Sequence, residues 1–262
     1  MFRQLKAQQE SNICLSNLRR IGQATLMYVQ DYDQTMPLTT SNVGGKWNTN
    51  LVHIVPDNWS SLTTHPAVIG SKWVWPNTAL PYGITLETLK CPSQEAYRYG
   101  NTRFTYNTPL APPAAVGYMM NGLLNTFSLT SVANPSRVPL IWEGRGRSGL
   151  LGGVVQGPVL ICNDGTRPCK FDVAQAGNGD ANGGTSSMFG LQGSIWTHGR
   201  DNNWLYIDGH VELKKLGAAV GKNGEFVATD PQVDPYTGYN ERGIPSFINH
   251  DGNFPFVFRP DR

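Results

Sequence analysis

The sequence is poor in charge and lacks the patterns of several common functions. Charged residues make up 15% of its 262 residues, and 21 basic against 19 acidic side chains give a net charge of +2. No basic block occurs, which argues against nucleic acid as a partner. No run of 18 apolar residues occurs either, so these residues contain no expected membrane-spanning helix. The cysteines form no Cys-x2-Cys pair, and their spacing is not that of a zinc finger.

Glycine and proline are abundant instead, with 29 and 18 residues. They favour turns, short strands and irregular segments over a mainly helical protein. A hydrophobic fraction of 39% in a chain of this length is enough for a sizeable core. We therefore expect an α+β fold with long irregular loops.

The first thirty-odd residues depart from this composition and predict one long helix from Phe2 to about Asp33. The stretch has no proline, a single glycine and many strong helix formers. A largely apolar stripe with steps of three and four residues indicates one buried helical face; its members are Cys14, Leu18, Ile21, Thr25, Tyr28 and Tyr32. Before Cys14 the stripe is absent, and the apolar positions are Phe2, Leu5, Ala7 and Ile13. The second half is therefore predicted to pack on a domain. The first half is predicted to project and to need a partner, with Phe2, Leu5 and Ile13 at an assembly interface.

The four cysteines are Cys14, Cys91, Cys162 and Cys169, an even set that favours an oxidising compartment. Two disulfides can be connected in three ways. Cys162 and Cys169 bracket a turn-forming insert and are predicted to form a hairpin disulfide. Cys14 would then pair with Cys91 and fasten the helix to the domain. Four buried free thiols are the alternative that the sequence leaves open.

The clearest local signal is a β-hairpin between Asn203 and Leu213. Asp208-Gly209 separates two alternating runs, which predicts a two-residue type I′ turn. One apolar face of that hairpin, against which the helix is predicted to pack, has Tyr206 opposite Val211 and Trp204 opposite Leu213. The other face has Leu205, Ile207, His210 and Glu212.

His198 and Asp208 have the residue types of a general base and the carboxylate that orients it. Asp208, however, falls at the first position of the predicted turn, where Asp is favoured for its local hydrogen bonding. His198 is accordingly interpreted as a structural residue that bonds to backbone at the base of the hairpin. No Gly-x-Ser-x-Gly motif and no Cys/His signature supplies a nucleophile, so we predict that the chain is not an enzyme.

One stretch has side chains suited to calcium. Asn178-Gly179-Asp180-Ala181-Asn182-Gly183 offers oxygens at alternating positions, and Asp201, Asn202, Asp251 and Asn253 are further oxygen donors. The stretch lacks the terminal Glu of an EF-hand, so a solvated loop is the preferred interpretation. No cofactor is therefore predicted, and calcium is kept as an alternative.

Five short motifs follow one another along the chain. They are Cys14–Gly22 (CLSNLRRIG), Met27–Asp33 (MYVQDYD), Cys91–Ser93 (CPS), Tyr118–Asn121 (YMMN), and His198 followed after nine residues by Asp208-Gly209. In this order they resemble the patterns CxSNLKQIG, MYxxDYD, CPS, SYxxN and H-x9-DG of bacterial prepilin-type proteins, a pilin- and pseudopilin-like family. The resemblance extends from the helix to residue 213.

The resemblance implies a pilin-like fold, in which a long N-terminal helix packs on an antiparallel sheet. It implies a structural subunit of a type IV pilin-like or type II secretion pseudopilin-like filament, assembled by helix bundling. The implied partners are copies of the chain, other pilin-like subunits and an inner-membrane assembly machinery. The implied location is an extracellular or cell-surface filament, or the periplasmic side of the inner membrane before assembly. A class III prepilin leader and about twenty apolar residues are also expected upstream of the helix, and the sequence begins where that segment should end.

Three segments are predicted: a pilin-type helix at residues 1–36, a β-rich head with the hairpin at 37–217, and an irregular C-terminal extension at 218–262 that lies over the surface or reaches a neighbour. Two other functions stay open. A surface-displayed glycan-binding module or adhesin would use the seven Trp and ten Tyr residues on an aromatic platform. A hydrolase built on His198 and Asp208 would need both side chains free in one concave site.

Overall fold

The computed structural model describes residues 2–48, 52–100, 104–160, 162, 164–171, 185–186, 197–199, 201–215, 219–220, 226–227 and 256–261. These residues form a mixed α+β structure with one long N-terminal helix and mostly antiparallel strand pairs, as the sequence predicts. Among them no helix is both long and apolar enough to cross a membrane. The predicted calcium stretch Asn178–Gly183, together with Asp251 and Asn253, lies outside the described residues.

The long helix α1 spans Phe2–Asp31, which is 30 residues or roughly 45 Å. The side chains of residues 4–9 are exposed, whereas Cys14, Leu18 and Ile21 are fully buried. The prediction that only the second half of the helix packs on the head is therefore confirmed. Solvent surrounds the side chains of residues 4–9, and contact with the head begins at Glu10 and Ser11.

The buried stripe differs from the prediction only in the last turns of α1. Val29 is fully buried there, and Tyr32 is 54% exposed. Asp33 and Gln34 then adopt left-handed backbone conformations, with φ of 50° and 58°. Because these conformations cannot continue a right-handed helix, the chain turns at this point.

The strands of the described residues are short, as expected for a chain rich in Gly and Pro. They are β1 Asn42–Val43, β2 Lys46–Trp47, β3 His53–Ile54, β4 Glu95–Arg98, β5 Ala115–Val116, β6 Met119–Met120, β7 Pro139–Trp142, β8 Ser148–Leu151, β9 Gly153–Val154, β10 Val159–Leu160, β11 Thr185–Ser186, β12 Asp201–Tyr206, β13 Val211–Lys215, β14 Ala219–Val220 and β15 Phe226–Val227. A one-turn helix α2 spans Pro66–Ile69, and 3₁₀ turns span Gly70–Trp73, Leu80–Tyr82, Leu86–Leu89, Gly122–Leu124, Leu129–Ser131 and Phe256–Phe258.

The principal sheet has the strand order β13-β12-β7-β6, and all its neighbours are antiparallel. Its inner strand β12 is buried on both faces. On one face Leu205 packs against α1 at Gly22, where an added Cβ would lie 2.8 Å from both Leu205 methyl carbons. On the other face the Trp204 ring packs on Trp142 and Phe258, with centroid distances of 4.9 and 5.5 Å. The core therefore has three layers: helix, sheet and C-terminal turn.

The β12–β13 hairpin is present, but its predicted register is wrong by one residue. Leu205 pairs with Val211, and Trp204 pairs with Glu212. A shift of one residue exchanges the two faces of a strand. Leu205 therefore faces α1, and Trp204, which was predicted to face the helix, lies on the opposite side of the sheet.

The turn of this hairpin is a three-residue loop, residues 207–209, and the predicted two-residue type I′ turn is wrong. Tyr206 N donates to His210 O at 2.9 Å, and Gly209 N donates to Tyr206 O at 3.0 Å. Gly209 alone in the loop has a positive φ, at 91°. A turn that ends in one left-handed glycine has this pattern, and it adds a bulge at the end of the hairpin.

A second sheet has the order β4-β8-β5, in which β4 runs parallel to β8 and β5 runs antiparallel to it. The other described sheets have two strands: β1 with β2, β3 with β9, β10 with β11, and β14 with β15. Strands β4 and β8 of the second sheet face the projecting half of α1.

Two disulfides connect these elements. Cys14–Cys91 joins the middle of α1 to the loop before β4, and Cys162–Cys169 closes a short loop with a sequence separation of 7. This is the pairing that the sequence favoured among its alternatives, and no free thiol remains. The longer bridge lies where the buried half of α1 begins, so it fastens the helix to the head.

The C-terminal turn Phe256–Phe258 is part of the core. Phe258 is fully buried, and its carbonyl accepts a hydrogen bond from Asn121 Nδ2 at 2.8 Å. Most of the predicted extension at 218–262 lies outside the described residues. That this extension covers the surface or reaches a neighbour stays a prediction.

Candidate functional site

The two residues of the H-x9-DG spacing lie at opposite ends of strand β12. His198 belongs to the turn before the strand, where its N–H donates to Asp201 O at 2.9 Å and its carbonyl accepts from Asp201 N at 3.0 Å. Asp208 belongs to the loop after the strand, where its Oδ1 lies 2.5 Å from Nδ1 of His210. The six residues of β12 separate the two ends by roughly 17 Å. His198 and Asp208 therefore do not form a His–carboxylate pair.

The imidazole of His198 instead meets Glu143, a carboxylate that the sequence did not single out. His198 Nε2 lies 3.1 Å from Glu143 Oε1. The same carboxylate accepts hydrogen bonds from Asn203 N at 2.7 Å and from Asn203 Nδ2 at 3.1 Å. Glu143 is fully buried, and the side chain of His198 is nearly so. Two donations from Asn203 and the neighbouring imidazole nitrogen thus satisfy a carboxylate whose burial would otherwise be costly.

The antiparallel strands β7 and β12 place this pair. All four residues of β7 are buried, and Glu143 follows directly. Asn202 Nδ2 donates to Glu143 O at 3.1 Å, while Asn202 Oδ1 accepts from Thr197 N at 2.8 Å. The amide of Asn202, which was considered as a calcium donor, is thus used to hold the turn that carries His198.

His198 also forms part of the wall of a groove of about 840 Å³ between the projecting half of α1 and the head. The helical wall includes Gln4, Gln8 and Ser11, and the opposite wall includes Glu95, Tyr97 and Arg147. Ser93 lies in the same groove, but its hydroxyl donates to Glu10 Oε2 at 3.3 Å. Among the described residues no hydroxyl bonds to the His198 imidazole, so this groove shows an oriented imidazole without a paired nucleophile.

The Cys14–Cys91 disulfide lies directly against the Glu143–His198 pair. Cys91 Sγ is 3.7 Å from Glu143 Oε1. Both sulfurs, a carboxylate oxygen and an imidazole nitrogen all lie within 4.8 Å of one another. Four side chains of the kinds that hold transition metals therefore meet at one point, although the two sulfurs are bonded to each other.

Tyr118 completes the surroundings of the disulfide. Its hydroxyl donates to Cys14 O at 3.2 Å. Burial, and then the charge of Glu143, raises the pKa of Tyr118 well above its usual value. The phenol therefore stays protonated and remains a donor to the backbone of α1.

The predicted assembly residues lie on the projecting half of α1. Leu5 is 60% exposed and Ile13 is 41% exposed. Phe2 belongs to α1, and its side chain lies outside the described part of the structure. Two large apolar side chains thus face solvent on the part of α1 that precedes Cys14.

The tryptophans considered for an aromatic binding platform are mostly core residues. Trp59, Trp75, Trp142 and Trp204 are buried. Trp73 is exposed, and its ring is covered on one side by the Lys72 ammonium, 4.6 Å from the ring centroid. A tryptophan platform is therefore not found among the described residues.

A tyrosine cluster does lie at the C-terminal end of α1. The rings of Tyr28 and Tyr32 stack with centroids 4.2 Å apart, and Tyr82 meets Tyr28 edge-on at 6.1 Å. Tyr82 Oη donates to Asp31 Oδ2 at 2.9 Å. Desolvation, followed by this hydrogen bond, raises the pKa of Tyr82 to about 12. The cluster thus presents stacked rings beside a carboxylate, at the end of the helix opposite to its projecting half.

Glu143 is the residue of this site that sequence reasoning missed. Its only local signal is a carboxylate placed directly after an apolar strand, where a solvated side chain is equally common. Comparison with protein-family models, with curated proteins and with solved structures found no match to the chain.

Proposed function

We propose that the chain is a structural subunit of an extracellular or periplasmic filament of the type IV pilin-like or type II secretion pseudopilin-like kind, with a pilin-like fold. The observation that carries the proposal is the division of α1 into a half fixed to the head and a half that projects from it. Leu5 and Ile13 are exposed only because nothing in the described chain covers them. In a bundle of neighbouring helices both side chains would be buried.

Physical chemistry favours such a bundle. A polar half-helix without tertiary contacts is marginally stable in water. Burial of one Leu or Ile side chain contributes about 1.5–3 kcal/mol, and a filament repeats that contribution at every subunit. The Cys14–Cys91 bridge lies at the boundary of the two halves of α1. A mechanical force on the projecting half is therefore transmitted to the head through a covalent bond. This role needs no catalysis.

The proposed partners are copies of the chain, with other pilin-like subunits and an inner-membrane machinery assisting assembly. The experiment is electron microscopy of the protein from its native source, with the N-terminus sequenced. Leu5→Glu places a charge at the proposed helix contact. Leu110→Glu is the matched control, because Leu110 is 65% exposed and belongs to the head.

Filaments of the wild type and of Leu110→Glu, with few or none of Leu5→Glu, would support the proposal. Monomers of the natural protein under all conditions, or equal filaments from both variants, would refute it. Circular dichroism of both variants checks that the helix itself is unchanged.

A second candidate function, a surface-displayed glycan-binding module, is favoured by the tyrosine cluster. Sugars stack on exposed aromatic rings and bond to adjacent carboxylates, and Tyr32 and Asp31 supply both groups. Titration with cello- and chito-oligosaccharides, followed by isothermal titration calorimetry, tests this function. Tyr32→Ala should abolish binding, whereas Met27→Ala, an exposed change on the same helix, should not.

A further inference from the structure

Four potential metal ligands from separate segments meet beside the groove. Cys14 comes from α1, Cys91 from the loop before β4, Glu143 from the end of β7, and His198 from the turn before β12. Their ligand atoms all lie within 4.8 Å of one another. The two cysteines and Glu143 are buried, and His198 alone reaches the wall of the groove. In the oxidised chain the sulfurs are bonded to each other, so only reduction makes them ligands.

We propose that the reduced chain binds one zinc ion through Cys14, Cys91, Glu143 and His198. Two molecules of a small-molecule thiol reduce the bridge by exchange, which gives the two cysteine thiols and one disulfide of that reductant. Zinc then replaces the two thiol protons, which pass to solvent. Two thiolates, one imidazole and one carboxylate are a tetrahedral donor set for Zn²⁺, and thiolates select against Ca²⁺ and Mg²⁺.

The observed separations fit this coordination. Bonds of about 2.3 Å to sulfur and about 2.0–2.1 Å to nitrogen or oxygen give tetrahedral ligand–ligand separations of roughly 3.3–3.8 Å. Glu143 Oε1 already lies 3.1 Å from His198 Nε2 and 3.7 Å from Cys91 Sγ. Once the S–S bond is broken, rotation of the two cysteine side chains supplies the remaining separation.

The surroundings also suit a metal. Asn203 donates twice to the Glu143 carboxylate and so fixes its orientation, as groups around a metal centre commonly do. Two thiolates and a carboxylate leave one net negative charge on the zinc complex, and these donors stabilise it. Because His198 lies in the groove wall, the ion has a route from solvent.

Zinc at this point would fasten α1 to the head when the disulfide is absent. The helix would then be held at Cys14 in both redox states, by a covalent bond in one and by a metal in the other. The proposal rests on the cluster alone and does not depend on filament assembly.

The experiment uses the full chain with Cys162→Ser and Cys169→Ser, so that Cys14 and Cys91 are the only thiols. The chain is reduced with a phosphine, desalted without oxygen and titrated with Zn²⁺ against a chromogenic chelator. We expect one zinc per reduced chain, none per oxidised chain, and a rise in Tm on zinc addition in the reduced state only. Ca²⁺ should produce no such rise.

Ligand variants and a matched control test the assignment of the residues. His198→Gln and Glu143→Gln should each weaken zinc binding at least about tenfold. Asp201→Asn changes a charged residue of the same groove that is outside the cluster and should leave the affinity unchanged.

Absence of zinc binding in the reduced chain, equal binding by the oxidised chain, or equal binding by the ligand variants would overturn the proposal. If a ligand variant does not fold, the absorption spectrum of the reduced wild-type chain with Co²⁺ decides whether the two cysteines bind the metal. A tetrahedral spectrum with thiolate charge-transfer bands supports the site, and an octahedral spectrum without them overturns it.

Discussion

Loss of the Cys14–Cys91 bridge should destabilise the chain far more than loss of Cys162–Cys169. A disulfide restricts the unfolded chain, and the restriction grows with the logarithm of the loop it closes. The sequence separations are 77 and 7. In the chain-entropy model these loops correspond to about 4.5 and about 2.4 kcal/mol of folding free energy at 25 °C. The expected difference between the two double variants is therefore about 2 kcal/mol.

Each bridge is removed by changing both of its cysteines to Ala, which adds no buried hydroxyl. Urea unfolding followed by tryptophan fluorescence reports the core, because Trp142 and Trp204 are fully buried. The midpoint should fall much further for Cys14→Ala/Cys91→Ala, while the dependence on urea stays similar. Hydrogen exchange should show faster exchange in the second half of α1 for this variant only.

Equal losses for the two variants, or a larger loss for the short loop, would refute this reasoning. Such a result would mean that native-state packing around the bridges, and not the loop closed in the unfolded chain, determines their contribution. The zinc-free, oxidised protein is the reference for both measurements.

Three further predictions concern single side chains. Burial lowers the pKa of His53 from 6.5 to about 4, so the unfolded chain binds the proton at a higher pH than the folded chain does. The free energy of unfolding should therefore fall by up to about 3 kcal/mol as the pH drops from 6.5 to 4. Urea titrations of His53→Phe should lack this pH dependence. Gly22→Val should lower the free energy of unfolding by about 1–3 kcal/mol, because the new side chain would overpack against Leu205. The loss should be much smaller when Leu205 is already Ala. Equal losses in the two backgrounds would contradict the close approach of Gly22 and Leu205. Gly209→Ala should lower stability by about 1–2 kcal/mol because φ is 91°, and an unchanged urea midpoint would argue against the three-residue loop.

The helix could be predicted because its signals are local. Helix formers without proline define α1, and the spacing of Cys14, Leu18 and Ile21 gives the side that packs on the head. The last turns could not be predicted in the same way. Tyr32 continues the spacing, but the left-handed residues Asp33 and Gln34 end the helix, and Tyr32 stacks on Tyr28 at the surface.

The hairpin was located correctly, and its register was not. Asp-Gly fits a two-residue loop as well as a three-residue loop, so the local sequence is ambiguous by one position. Long-range packing resolves the ambiguity. Leu205 fits over Gly22, which has no side chain, while the Trp204 ring needs the space beside Trp142 and Phe258.

The candidate site combines predictable and unpredictable parts. The cysteine pairing followed from spacing and elimination, because the loop between Cys162 and Cys169 is a turn. The partner of His198 could not be predicted in this way. Glu143 is 55 residues away in sequence and reaches His198 only through the pairing of β7 with β12. A motif defined by sequence spacing therefore pointed to His198 with the wrong carboxylate.

The position of Phe258 has a consequence for biosynthesis. Its ring covers Trp142 and Trp204, and its carbonyl is bonded to Asn121, so the last described turn closes a core built mainly from residues far upstream. A growing chain cannot complete that core until this turn has left the ribosome. Before then the sheet has one uncovered aromatic face, which favours aggregation. Completion of the head core therefore has to wait for Phe258, and nascent chains are expected to need a chaperone until this turn emerges.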